Sequence, residues 1–468
     1  MRIHPLTVAA ALATLGSPAE IAHGETNPRR LADGAVLFDL EGRARFERRD
    51  NNRDFNSEIN DDNDDSWLIT RFRFCVAVRP APWLKLYAQG QDTREIDSDR
   101  TNAPGVRGSE GGDEFDLRQA FVELADYGKF PLGLTAGRQP LSYGDRRFLA
   151  DPIWTNAGRT FDAARLRWQT KTARVDAFWG RPVQIKEHVF DDSDAADHVA
   201  GIYASTSAVG PQTTDVFYIY RDKGDTQPDL DPQNRLDPRG TSAGSAQRIH
   251  TLGTRWKSER GALRGWDYGL EAALQWGDYW TGERTTPRLD QRAWAAHLEG
   301  GYTFESAVWR PRFGLEYNHA TGDRDPNDRA SESFQNLFAS NHDKYGYLDA
   351  FAWRNLHDAR VQWNGRPSNT LDVEVSCHAF WLAETSDYWF RSNGLSPLRT
   401  QTSDGRDVRA IHARRFAGHE IDFAVKWSPA GPFQIEAGYS HFFAGSYLRE
   451  TGPHADADFA YVMTTINF

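Results

Sequence analysis

The chain has 468 residues, of which 39% are hydrophobic, and a mean hydropathy of −0.67. That is too little oil for the dry cores of a soluble protein this long, and no internal run reaches the ~20 apolar residues of a membrane helix. A net charge of −11 excludes the basic footprint of a nucleic-acid binder. A membrane β-barrel fits: only one face of each strand is apolar, and the 16 Trp, 16 Tyr and 27 Phe suit interfacial girdles.

In chain order, residues 1–24 read as a secretory signal. Arg2 supplies the positive end, Leu6 to Leu15 a short apolar core, and Ala22-His23-Gly24 or Ser17-Pro18-Ala19 a cleavage site. A single barrel domain over 33–468 follows, with no linker or break in composition. About eighteen candidate strands alternate with period two. The first sets Asp39, Glu41, Arg43 and Arg45 against Leu40, Gly42, Ala44 and Phe46. Acids then crowd a loop at Asp61, Asp62, Asp64 and Asp65, which reads as a solvated surface. The second strand opposes Arg71 and Arg73 to Phe72, Phe74 and Val76. Strands at Gln119–Leu124 and Leu132–Gly137 flank a short turn, and Phe161–Trp168 places Arg165 and Arg167 opposite Ala164, Leu166 and Trp168.

Further on, Trp309, Pro311, Phe313, Leu315 and Tyr317 oppose Arg310, Arg312, Gly314 and Glu316. The turn after it spaces Asp323, Asp325, Asn327 and Asp328 as calcium loops space oxygen ligands, without the rest of an EF-hand. A solvated loop tip is the alternative, and no other cofactor is expected. Leu371 to Trp381 sets an apolar face against Asp372, Glu374, Ser376 and His378. Cys75 falls on an inward face and Cys377 on an outward one, which argues against a disulfide. The last strand alternates Ala460, Val462, Thr464 and Ile466 and ends on Phe468.

Alternation alone also fits a soluble sandwich. The connections separate the two. Short links such as Asp126–Pro131 and Ser428–Pro432 alternate with long ones such as Gln139–Gly158 and Thr321–Asn355. Short periplasmic turns and long external loops are the asymmetry of outer-membrane barrels. A charge on the lipid face costs about 2–4 kcal/mol at mid-membrane, so the strand arginines face the lumen or sit at its rim. Arg43, Arg71, Arg73, Arg165, Arg167, Arg310 and Arg312, softened by Glu316 and Glu374, are expected to line an anion path; the alternative is that they pair with lumenal Glu and Asp and fill the barrel. No catalytic motif appears, so an enzyme is not expected.

Two segments, GRQPLSYGDRRFL with GRTFDAARLRW, and FQNLFASNHDKYGYLD over Phe334 to Asp349, resemble the alginate-export family of outer-membrane proteins. The resemblance implies an eighteen-stranded, antiparallel, up-and-down, monomeric barrel in the outer membrane. It also implies an arginine-rich conduit that passes a polyuronate outward. Its partners are then an anionic polysaccharide or oligosaccharide, outer-membrane lipid and periplasmic export or assembly proteins. It further makes Arg138 and Arg159 lining residues, although strand parity points Arg138 outward unless Gly137 carries a bulge. A general or anion-selective porin for small solutes fits the same residues; a secreted β-sandwich lectin or an outer-membrane enzyme fits fewer.

Overall fold

Strands that alternate oil and charge hide their polar face only by closing on themselves, which also leaves no unpaired edge in lipid. The protein's structure, a computed structural model, describes residues 29–31 and 35–468, apart from 53, 59–63, 99–111, 187–188, 225–245, 282–283 and 430. The leader read at 1–24, Asp61 and Asp62 lie outside the described residues.

The described chain forms a closed barrel of 18 antiparallel strands. These are β1 (Val36–Asp50), β2 (Asp65–Ala81), β3 (Leu84–Ile96), β4 (Asp113–Ala125), β5 (Leu132–Gln139) and β6 (Phe161–Gln169). There follow β7 (Ala173–Gln184), β8 (Asp197–Thr206), β9 (Gln212–Lys223), β10 (Gln247–Ser258), β11 (Trp266–Trp280) and β12 (Arg288–Thr303). The last third comprises β13 (Arg312–Ala320), β14 (Leu356–Ser368), β15 (Leu371–Leu382), β16 (Phe416–Trp427), β17 (Phe433–Ala444) and β18 (Ala457–Asn467). Each strand pairs with its sequence neighbour, and β18 closes on β1 from Glu41↔Asn467 to Asp50↔Asp458. Terminal Phe468 completes the seam by exchanging backbone hydrogen bonds of 2.9 and 3.1 Å with Leu40.

The connections sort by end. Residues 82–83, 126–131, 170–172 and 369–370 turn tightly at the end where β1 begins and β18 ends. Segments 140–160, 321–355 and 383–415 lie at the other. Side chains follow the parity of the strands. On β1, Glu41, Arg43, Arg45 and Glu47 are buried inward while Ala44 and Phe46 are exposed outward. Cys75 is buried and Cys377 exposed, and neither is bonded.

The interior is not polar throughout. Inward-facing Phe161, Phe380, Phe442 and Phe459, near the long-loop ends of their strands, and Phe178 and Phe217 at mid-strand join Leu141, Phe148, Leu149, Phe334, Phe351 and Trp353 from the loops in one apolar cluster. Each fully buried side chain of this size stabilises the loops by roughly 1.5–3 kcal/mol. The long loops thus fold into the extracellular half of the barrel and fill it.

Candidate functional site: charged wall and inserted loops

The first inserted loop, 140–160, is held by its carbonyls. Parity turns Arg43 and Arg45 (β1), and Arg71 and Arg73 (β2), to the same inner wall, and Arg118 joins them from β4. Arg43 donates to the Ile153 and Thr155 carbonyls at 2.7 and 3.1 Å, and to Asn156 Oδ1 at 3.0 Å. Arg45 donates to the Trp154 carbonyl at 2.5 Å and stacks on the Trp154 ring at 3.6 Å. Arg71 reaches the Thr155 and Asn156 carbonyls at 3.2 Å each, and Arg73 the Ala157 carbonyl at 3.3 Å. Five consecutive carbonyls, 153 to 157, therefore lie on guanidinium groups. Acids join the cluster: Glu41 pairs with Arg71 at 2.6 Å, Glu47 with Arg45 at 2.6 Å, and Asp151 with Arg118. Burial alone would raise Asp151; Arg118 and Arg73 outweigh it and hold the carboxyl down at about 2.

The second loop, within 321–355, is held by its N–H groups. Glu420 and Asp422 of β16, both almost fully buried, face it from the wall three strands before β1. Glu420 accepts from the Leu348 N–H at 2.8 Å and Asp422 from the Tyr347 N–H at 3.5 Å. Asp422 is itself fixed by Ser376 at 3.2 Å, Ser440 at 2.5 Å and His378 at 3.6 Å. The two loops meet in the lumen. Phe338 N–H donates to the Phe148 carbonyl at 3.0 Å and Ser340 N–H to that of Arg146 at 2.9 Å. Arg147 donates to Tyr345 Oη at 2.6 Å, and Trp154 stacks on His342 at 3.7 Å. The two segments that carry the family resemblance are thus packed against each other.

The remaining expected residues divide. Arg167 makes a bidentate pair with Asp176 at 2.8 Å, and Arg312 binds Asp267 at 2.5 Å, both inside. Glu316 and Glu374 share Arg360, at 3.5 and 2.8 Å. Arg165 faces the lumen, reaches only Thr135 Oγ1 at 3.3 Å and has no carboxylate partner among the described residues. Arg159 is a loop anchor rather than a wall residue. Its guanidinium donates to the Phe338 carbonyl at 2.6 Å, and burial, opposed by Asp151, draws it down to about 10.

Two further expectations are corrected. Arg310 is not on a strand: φ of 70° at Trp309 and 44° at Arg310 end the alternation in a turn, where Arg310 pairs with Glu305 at the barrel mouth. Arg138 does not line the lumen. The ladders through Gly137, Arg138 and Gln139 carry no register shift, so there is no bulge. Parity holds, and Arg138 stays on the outer face, bound to Asp162 at 2.9 Å beyond the aliphatic band. Gly137 takes φ of +125° with the Ala120 carbonyl 2.2 Å from where a Cβ would stand, which explains the glycine before the arginine without any bulge.

Sequence reasoning missed other inward charges. Arg118 was hidden by a register shift in the β3–β4 pairing that turns both Arg118 and Gln119 inward. Arg360 sits between outward Ala359 and Val361, so its alternation was readable. Arg147, on a loop, bridges Glu271 and Glu316 at 3.5 and 3.2 Å, and no periodic signal announces it.

The loop read as either a calcium loop or a solvated tip uses its carboxylates within the turn. Asp325 and Asp328 accept from the Asn327 and Ala330 N–H groups at 3.0 and 2.6 Å, so these carboxylates cap their own turn. Asp323, Asp325 and Asp328 do not converge at metal-ligand spacing among the described residues. Asp145, His297 and Glu299 do converge, but Lys257 Nζ already joins Asp145 and Glu299 at 2.9 and 2.7 Å.

A barrel whose outer strands face lipid, whose short turns lie at one end and whose loops constrict the lumen has the build of a channel. The alginate export family profile matches residues 35–462. The chain belongs to the alginate export family. As a member of it, this is an outer-membrane β-barrel channel. Among solved structures, OpdK of Pseudomonas aeruginosa with vanillate is similar at 10% identity and a TM-score of 0.58, over 92% of this chain and 98% of that one. OccAB1 of Acinetobacter baumannii is similar at 11% identity and a TM-score of 0.58, over 95% and 98%. OccK11 (OpdR) of P. aeruginosa is similar at 12% identity and a TM-score of 0.55, over 92% and 96%. At such identities the likeness carries the barrel fold alone. No curated protein sequence matches the chain.

Proposed function

We propose that this alginate export family channel passes an acidic saccharide chain from the periplasm outward. The observation that carries the reading is a set of inward cations near the short-turn end with no carboxylate to hold them. Arg165 and Arg174, on the inner parity of β6 and β7, and Arg260, in the turn after β10, have no ion-pair partner among the described residues. Arg260 lines a cavity of about 470 Å³ with Arg310, Arg312, Arg366 and Lys426, and Glu305, Asp372, Glu374 and Glu436 lie among them. Guanidinium binds carboxylates in a planar fork, and interleaved acids keep each hold weak enough to release. A uronate entering the cavity meets cations first, and further in it meets the five arginines now engaged by carbonyls 153–157. A carboxylate is a better guanidinium partner than an amide carbonyl, so the chain competes with the loop for them.

The filled extracellular half favours a second reading, an anion-selective porin for small solutes. Adding a uronic-acid hexamer to the periplasmic side of a reconstituted channel separates the two. Transient current block by the hexamer, absent for a neutral hexamer and reduced in R165A/R174A/R260A, supports saccharide passage. Free passage of small anions with no hexamer block supports the porin.

A further inference from the structure

The outward face of β5 to β10 carries a charged row that the lumen has no use for. Arg138 pairs in register with Asp162, and Asp162 with Arg181. His198 stands one step beyond the last β7–β8 pair, Val199↔Gly180, and is itself opposite Asp222, which is opposite Arg248. All take the parity of the lipid-facing side chains, and all lie near the long-loop ends of their strands. Two residues nearer the short-turn end, the ladder reads Ala136, Ala164, Trp179, Ala200, Tyr220 and His250. Two further, it reads Leu134, Leu166, Ala177 and Ile202. Charge, then a row with Trp179, Tyr220 and His250 among alanines, then aliphatic side chains follows the order of headgroup, interface and hydrocarbon on the outside of a barrel.

Within this row the charges are unequally satisfied. Asp162 gives both oxygens to Arg138, at 2.9 and 3.4 Å. Asp222 is taken by Arg248 at 3.7 Å and by Arg284. Arg181 is left without an ion-pair partner among the described residues, and its buried Nε has no hydrogen-bond acceptor. His198 is stacked on Trp179, ring centroids 5.8 Å apart, which fixes it on the same outer face. An unpaired guanidinium beside an imidazole, just above an aromatic step, is complementary to a phosphate whose acyl chains lie over the aliphatic rows.

We infer that Arg181 and His198 hold the phosphate of an outer-leaflet phosphorylated glycolipid, with Trp179 at the level of its sugar–acyl junction. The test is native mass spectrometry of the full-length channel, exchanged from detergent containing lipid A or the same lipid stripped of phosphate. Charge-assisted hydrogen bonds are each worth about 1.5–3 kcal/mol, so the wild type retains phosphorylated lipid about tenfold or more above R181Q/H198Q. R181K keeps much of that retention. The stripped lipid is retained no better by wild type than by the double variant, and inorganic phosphate alone leaves no adduct. The heat-induced gel shift is the same for all three proteins, because the barrel is closed by backbone ladders that these side chains do not form. Equal retention by wild type and R181Q/H198Q, equal retention of stripped lipid, or a stable adduct with free phosphate overturns the assignment.

Discussion

Arg167 and Asp176 show what a lumenal pair is worth. The carboxylate is fully buried and accepts from two guanidinium nitrogens, Nε and Nη2. Replacing Arg167 with Ala strands that charge, and removing one partner of a buried pair costs about 3–5 kcal/mol. The urea midpoint for unfolding in micelles should fall accordingly, with partial recovery in R167K; an unmoved midpoint contradicts the pairing. Asp323 gives a different residue-scale test. Burial, and then Asp387, raise its pKa to about 7. A carboxyl raised on folding stabilises its loop below the unfolded value near 4 and loses that contribution as pH rises through about 7. Hydrogen exchange over 321–332, corrected for intrinsic rates, should therefore quicken between pH 5 and pH 8, and D323N should flatten the difference. A loop equally protected at both values contradicts the shift. Which residues were legible follows from the same chemistry. Arg43, Arg71, Arg73 and Arg167 were placed inside by period two alone. Arg138 also obeyed period two, and the family resemblance drew it inward against the parity. Arg118 was invisible because a ladder irregularity breaks the period where it sits.

At the scale of elements, the two inserted loops are latched by opposite charges. Loop 140–160 offers carbonyls to arginines, and the segment around Leu348 offers N–H groups to Glu420 and Asp422. Such a latch is open to competition from ions of the matching sign. Removing two of the arginines, R43A/R71A, takes away the hydrogen bonds to carbonyls 153, 155 and 156. The barrel, sealed by its own ladders, stays closed, and its heat-induced gel shift is kept. The loop loosens, so unit conductance rises and the 140–160 segment becomes sensitive to protease. Unchanged conductance in a folded double variant contradicts the latch. The sequence motifs around Gly137 and Phe334 marked these loops by resemblance, but not what they touch. Loop conformation has no period to read, and contacts such as that of Phe148 with Phe338 join residues far apart in the chain.

For the whole molecule, alternation and the sorting of loops by length were enough to derive a closed membrane barrel. Terminal Phe468 sits in the seam with Leu40. What alternation did not reveal is that an apolar cluster of strand and loop side chains fills part of the extracellular half. Inward Phe161, Phe380 and Phe442 look like breaks in a polar face until the loops that cover them are in place. Those loops narrow the route, and on the proposed reading the charge of the wall then chooses what passes. The chain is acidic overall, at −11, yet the unpaired charges named on its inner wall are arginines. The account rests on that contrast. Reversal potential across a planar bilayer under a potassium chloride gradient measures it most directly. The wild-type channel should prefer chloride, and R165A/R174A/R260A should lose most of that preference while remaining open. A cation-preferring wild-type channel would contradict the account.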